Sequence, residues 1–165
     1  MPGRFSVVRV LFVCTGNICR SPTAEGVARK LAGERGHEGR IDFDSAGTHS
    51  YHEGEPPDAR SIEAAARRGI DLSNQRARRV RTDDFETFEL ILAMDRGHEK
   101  ILKRQAPESA LSRVRLFLGY APHLGTPDVP DPYYGAGDGF EQVLDMVETA
   151  AGGLIDAIER EFDLG

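Results

Sequence analysis

Strand-like and helix-like segments alternate along this 165-residue chain. That alternation predicts an α/β fold: a single doubly wound domain over residues 1–165, with a four-stranded parallel sheet flanked by helices on both faces. Three observations carry the prediction. The strand candidates are nearly continuous apolar runs, as strands buried on both faces are. The segments between them have helical spacing of apolar residues. And the first strand runs into a short Cys-to-Ser-Pro loop that opens a helix, at the strand end where open α/β sheets bind ligands.

The elements follow in order. Val7-Val8-Arg9-Val10-Leu11-Phe12-Val13 is β-branched and almost wholly apolar, hence a buried strand. After the loop, Ser21 is expected to cap a helix and Pro22 to suit its first turn. Ala24, Val27, Ala28 and Leu31 give that helix an apolar stripe, and Gly33 and Gly36 are expected to end it. Ile41 to Ser45 reads as a short second strand. Ala46 to Pro57 is a loop, punctuated by Gly47, Gly54, Pro56 and Pro57, and it carries His49, Tyr51 and His52. Asp58 can cap a helix running through Ile62, Ala65 and Ala66 and closed by Gly69. Arg76, Arg78, Arg79 and Arg81 are read as a solvated face, with docking of a phosphoprotein as the alternative. Leu90 to Met94 is a third buried strand. A helix with Ile101 and Leu102 stops before Pro107, and Val114 to Leu118 is the fourth strand.

Ala121 to Gly139 is dense in Pro, Gly and Asp, and a loop this long in a compact domain is usually functional. The last helix places Phe140, Val143, Leu144, Val147, Ala151, Leu154, Ile155, Ile158 and Phe162 on one face, with Gly152-Gly153 weakening it.

The formal net charge of -6 disfavours attraction to nucleic acid or to anionic membranes, although a local basic site can sit on an acidic protein. The amino-terminal apolar run is too short to span a membrane, so a cytoplasmic protein is expected. The two cysteines, Cys14 and Cys19, make neither a secreted disulfide framework nor a zinc site. No metal or other cofactor is expected.

Both cysteines lie in residues 14–21, Cys-Thr-Gly-Asn-Ile-Cys-Arg-Ser. A phosphate dianion needs donors converging on one point. A tight loop ahead of a helix supplies them from its backbone N–H groups, and the helix dipole favours the negative charge. Thr15, Gly16, Asn17, Ile18, Cys19 and Arg20 are the candidate phosphate ligands. Gly16 is expected to provide a positive-φ turn, and Asn17 to brace the loop with its amide. Arg20 offers a planar fork for two phosphate oxygens. The same positive surroundings favour the thiolate form of Cys14, a nucleophile toward phosphorus, and Ser21 can donate a hydrogen bond to its sulfur. A Cys and an Arg six positions apart fit equally well a buried, inert cysteine ahead of a helix. The complete run, placed between a buried strand and a Ser-Pro helix start, points to function.

The run Val13 to Pro22 resembles the signature of the low-molecular-weight protein tyrosine phosphatases. Asp44-Ser45-Ala46-Gly47-Thr48, Leu92-Ala93-Met94-Asp95 and Asp131-Pro132-Tyr133-Tyr134-Gly135 are similar to three further landmarks of that family, in the same order. The resemblance implies hydrolysis of phosphotyrosine, with tyrosine-phosphorylated proteins as partners; the sequence leaves the oligomeric state open, a monomer being the expectation. Cys14 matches the nucleophile, Arg20 the phosphate clamp, and Asp131, on the 121–139 loop, the general acid. Asn17, Ser21 and Ser45 match a hydrogen-bond set that shapes the loop. Thr15, Tyr51, Tyr133 and Tyr134 match the substrate pocket, which favours an aryl phosphate. Cys19 matches a second cysteine that can close a reversible disulfide with Cys14.

Three positions depart from the common pattern: Gln75 stands where many relatives have His, Arg79 where they often have Gln, and Gly97 where Asn is frequent. His37, His49, His52, His98 and His123 are read as surface residues. Two alternatives stay open on the sequence: an arsenate reductase of the same fold, and a phosphate-binding or redox-sensing module without turnover.

Overall fold

The computed structural model describes residues 7–133 and 138–164. Strand β1 (Val8–Cys14) is followed by α1 (Arg20–Glu34), β2 (Ile41–Gly47), α2 (Ala59–Ala66), α3 (Asp84–Thr87), β3 (Leu90–Ala93), α4 (Arg96–Gln105), β4 (Val114–Leu116) and α5 (Gly139–Glu161). Three short 3-10 turns, at Glu108–Arg113, Phe117–Tyr120 and Pro122–Leu124, fill the connections around β4. The strands form one sheet in the order β2-β1-β3-β4, every pair parallel.

β1 is central, so its side chains feed two cores in alternation. Val8, Val10, Phe12 and Cys14 join the larger one, beneath α1 and α5, while Leu11 and Val13 join the smaller one with Phe85 of α3 and Leu102 of α4. Phe12 has no exposed surface; it lies against Phe43 at a ring separation of 6.0 Å and takes Phe117 edge-on at 5.1 Å. Burial of β1 on both faces fixes the height of Cys14, which sits at its carboxyl end opposite Gly47 of β2. Among the described residues no helix is long and apolar enough to cross a membrane.

Several boundaries differ from the sequence expectation. α1 begins at Arg20 with Cys19 as its cap residue and no side-chain cap, so Ser21 lies within the first turn rather than capping it. Gly33 is inside α1, and the turn out falls at Gly36 with φ 81°. β2 extends to Gly47, because its last residues pair with the end of β1. β4 stops at Leu116, and Phe117 and Leu118 instead enter a buried 3-10 turn. Phe162 falls just beyond α5. The short α3 was not legible, since four residues carry no periodicity.

Gly152-Gly153 does not break α5. A Cβ on Gly153 would lie 2.0 Å from the Tyr120 carbonyl oxygen, whereas one on Gly152 would meet only the Arg35 guanidinium at 3.9 Å. The first glycine is therefore dispensable and the second is not. Gly152→Ala is expected to stabilise the protein by up to about 1 kcal/mol through helix propensity. Gly153→Ala should destabilise it by about 1–3 kcal/mol through overpacking against backbone. Urea unfolding of the two variants separates these outcomes.

Candidate active site

The loop after β1 is shaped by hydrogen bonds to its carbonyl groups from outside. Thr48 N–H donates to Cys14 O at 2.8 Å, His49 N–H to Thr15 O at 3.0 Å, and Asp58 N–H to Ile18 O at 2.8 Å. Cys19 O accepts from both the backbone N–H and the hydroxyl of Thr23. Among the described residues, none of the backbone N–H groups from Thr15 to Arg20 donates to a protein acceptor. The loop thus ties down its oxygens and leaves a set of donors unspent, as an anion site requires. Gly47 permits this approach, because a Cβ there would lie 2.7 Å from Thr15 O and 2.9 Å from His49 O.

The left-handed turn falls at Asn17, with φ 59°, and not at Gly16 as the sequence suggested. Gly16 is small for another reason: a Cβ would come within 3.0 Å of the His52 ring. Asn17 is buried and its amide is fully used. Its Nδ2 donates to Ser21 Oγ at 2.8 Å and to Ser45 Oγ at 2.9 Å, and its Oδ1 accepts from Arg78 N–H at 3.0 Å. Asn tolerates the left-handed region because a short polar side chain can bond locally, as here. Ser21 Oγ lies 3.0 Å from Cys14 Sγ. With a thiolate at Cys14, Ser21 must be the donor, and Asn17 then fills one of its lone pairs.

Behind these residues Ser45 Oγ donates to Glu25 Oε1 at 2.7 Å, and the other Glu25 oxygen pairs with Arg29 at 2.6 Å. Burial pushes the Glu25 carboxyl above its ordinary range, with the Ser45 and Arg29 contacts opposing the shift. Sequence reasoning missed Glu25. Its spacing to Arg29 is that of an ordinary surface helix pair, and only the position of β2 turns it inward.

Arg20 is 5 % exposed, and its guanidinium is aimed by two contacts. Nη1 donates to Asp95 Oδ2 at 2.8 Å and to Val129 O at 3.1 Å, while Nη2 lies 3.6 Å from Asp131 Oδ2. Val129 N–H in turn donates to Met94 O at 2.8 Å, fastening the loop that carries Asp131 to the end of β3. Asp131 is solvent-facing, with 41 % of its side chain exposed, and Oδ1 accepts from Tyr133 N–H at 3.0 Å. A cavity of about 210 Å³ is lined by Thr15, Gly16, Ile18, Cys19, Arg20, Tyr51, His52, Asp131 and Tyr133. Cys14 itself is 3 % exposed. Tyr51 is 70 % exposed at the mouth and stacks on His49 at 5.0 Å. Tyr134 lies outside the described residues.

Some expectations are corrected. His98 is buried, not at the surface: Nε2 bonds Thr15 Oγ1 at 2.8 Å, and Nδ1 lies 3.1 Å from Asp95 Oδ1 at an angle that leaves it without a hydrogen bond. Burial pushes its pKa down to about 4, partly opposed by Asp95, so it is neutral at neutral pH. His37 is also buried, with Nε2 2.7 Å from Glu159 Oε2 between the end of α1 and α5. His52 lines the cavity, and His123 is exposed. Arg78 does not belong to a solvated face; it bridges Asp44 and the buried Asp84 and presents its N–H to Asn17. Gln75 donates to Pro22 O at 3.0 Å, and Arg79 is exposed and pairs by its backbone with Gly47. Gly97 sits where a Cβ would approach Asp95 Oδ1 to 3.2 Å. Among the described residues no group of three or more His, Cys, Asp or Glu is placed to hold a metal ion.

Residues 9–164 match the family model described as low molecular weight phosphotyrosine protein phosphatase. The chain belongs to that family. The low molecular weight protein-tyrosine-phosphatase of Streptomyces coelicolor is 45 % identical over 158 residues, covering 94 % of this chain and 96 % of the relative. The YfkJ phosphatase of Bacillus subtilis is 39 % identical, over 96 % of this chain and all of its own length. Its crystal structure superimposes with a TM-score of 0.90 at 40 % identity, covering 96 % of this chain and 98 % of that one. An Entamoeba histolytica protein tyrosine phosphatase, crystallised with Hepes in its active site, also gives 0.90 at 38 % identity over 93 % and 98 % of the two chains. The phosphatase family thus accounts for the sheet order and the loop position together.

Two predictions arise from this geometry. Asn17→Ala should cost about 2–3 kcal/mol in unfolding free energy, because it strands buried partners and places Ala at positive φ. Asn17→Gly, which relieves only the backbone, should recover part of that loss, as read by thermal melting. The second concerns acid. The folded-state pKa of His98 lies below the unfolded value, so unfolding takes up a proton between about 6.5 and about 4. The His98 contribution is fully present above that window and is lost as pH falls through it. His98→Asn should flatten the decline of melting temperature between those pH values.

Proposed function

We propose that the chain hydrolyses phosphotyrosine and related aryl phosphate monoesters, as one phosphatase domain, through a phosphocysteine intermediate. The observation that supports this most directly is that Arg20, Asp131 and residues of the loop with unspent amides line one cavity of about 210 Å³, while Cys14 Sγ, at the start of that loop, lies 3.0 Å from Ser21 Oγ. The loop amides and Arg20 bind the three non-bridging oxygens and hold phosphorus above the sulfur. The Cys14 thiolate attacks phosphorus and the ester oxygen leaves, taking a proton from Asp131. Asp131, now a carboxylate, accepts a proton from the water that attacks the phosphocysteine. The sulfur departs as a thiolate, with the Ser21 hydroxyl donating to it. Neutral His98 adds no positive charge beside Arg20, so Asp95 remains free to orient the guanidinium. Tyr51 and Tyr133 provide aromatic walls that favour a phenyl ring over a short alkyl chain.

The same reading takes tyrosine-phosphorylated proteins as substrates, with no nucleic acid or membrane partner and a monomer as the active form. It assigns Cys19 a protective role. Burial and the nearby Asp58 charge push its pKa up to about 12, so it remains a thiol while Cys14 reacts. Oxidation of Cys14 to the sulfenic acid is followed by attack of the Cys19 sulfur, which forms the disulfide and releases water.

Cys14→Ser is expected to abolish turnover of p-nitrophenyl phosphate. Asp131→Ala should lower kcat/KM for phenyl phosphate by about 10²–10⁴-fold, and less for esters of acidic phenols. Full activity in Cys14→Ser would rule out the mechanism. After a peroxide pulse and dithiothreitol, the wild type should regain activity and Cys19→Ala should not.

A further inference from the structure

Arg60 takes no part in the proposed reaction, yet it touches three segments around the site. It sits in the first turn of α2, where its Nε and Nη2 donate to the two oxygens of Asp58 at 3.0 and 2.9 Å. Asp58 is the N-cap of α2, and its own backbone N–H donates to Ile18 O. The Arg60–Asp58 pair is therefore hung on the phosphate-binding loop. The Arg60 guanidinium carbon also lies 5.3 Å from the centre of the Tyr133 ring and 4.7 Å from that of Phe140. The neighbours of those two residues are themselves close: a Cβ on Gly139 would come to 3.5 Å from the Pro132 side chain. Tyr133 is coupled directly to the general acid, because its N–H donates to Asp131 Oδ1.

We propose that Arg60 is a positioning residue for proton transfer: it gathers Tyr133 and Phe140 on a guanidinium that Asp58 fixes to the phosphate loop, and so keeps the Asp131 carboxyl aimed across the cavity. The inference rests on the phosphatase reading above. An arginine suits this place because its in-plane fork satisfies Asp58 while its flat charge is attracted to ring faces; a lysine ammonium cannot hold a bidentate carboxylate pair and two rings together. The side chain is 48 % exposed, so its removal leaves both cores intact.

The test is the dependence of kcat/KM on leaving group, measured with p-nitrophenyl phosphate and phenyl phosphate. Proton donation matters most for the poorer leaving group, so Arg60→Ala should lose about 10-fold on phenyl phosphate and under about 2-fold on p-nitrophenyl phosphate. In an Asp131→Ala background the same substitution should change neither ester, since the group it positions is gone. Arg60→Lys, which keeps the cation and loses the plane, should show the same pattern with a smaller loss, and it carries the test if Arg60→Ala folds poorly. Equal losses on the two esters, or a further loss in the Asp131→Ala background, would overturn the proposal and leave Arg60 as a staple for α2. A wild-type protein inactive on both esters would instead remove the phosphatase reading, and this inference with it.

Discussion

The structure depends on one constraint: a run of consecutive amides, Thr15 to Arg20, is held without protein acceptors among the described residues. Such a backbone turn is stable only if its carbonyl groups find partners on the outside, because unpaired buried oxygens are costly. Thr48 and His49, just after β2, and Asp58, at the start of α2, supply those partners from two places in the chain. The loop leaving β2 and the start of α2 are therefore arranged around the phosphate-binding loop, and Gly47 is required where two backbones come closest. Asn17 closes the turn from within and spends all three of its polar contacts doing so.

The sheet makes that arrangement rigid. β1 is buried on both faces and bonded to a parallel neighbour on each side, so the height of Cys14 is set by core packing rather than by the loop. Arg20 is anchored by the end of β3 through Asp95, and by Val129, which itself hangs on Met94. The clamp and the loop that bears Asp131 therefore share a support.

Much of this was legible in the sequence. Parallel strands buried on both faces are continuous apolar runs, so the four strands and their order of appearance could be read directly. The positions proposed to carry the chemistry, Cys14, Arg20 and Asp131, stood out because of the loop they occupy or the motif they match. What escaped was everything set by long-range contact. Glu25 and Arg78 look like surface charges until β2 and α3 enclose them, and His98 looks like a helix-surface residue until Thr15 meets it. The place of the positive φ was also hidden. Glycine is the usual guess, but the residue with an amide to anchor took the strained position. Gly152-Gly153 was read as weakening α5 on propensity alone, and the close approach of Tyr120 gives Gly153 a packing reason that the sequence did not show.

Arg20 and Asp131 differ sharply in their surroundings: the first is 5 % exposed, whereas the second has 41 % of its side chain in water. On the mechanism proposed above, the cavity is therefore divided into a buried floor that binds the charge and an exposed rim that carries the proton donor. On the proposed mechanism, product phosphate has no leaving group to protonate, so its binding draws on the floor and not on the proton donor of the rim. On the same mechanism, susceptibility to product and the rate of ester cleavage rest on different residues, and the two properties can drift apart as the rim changes and the floor does not.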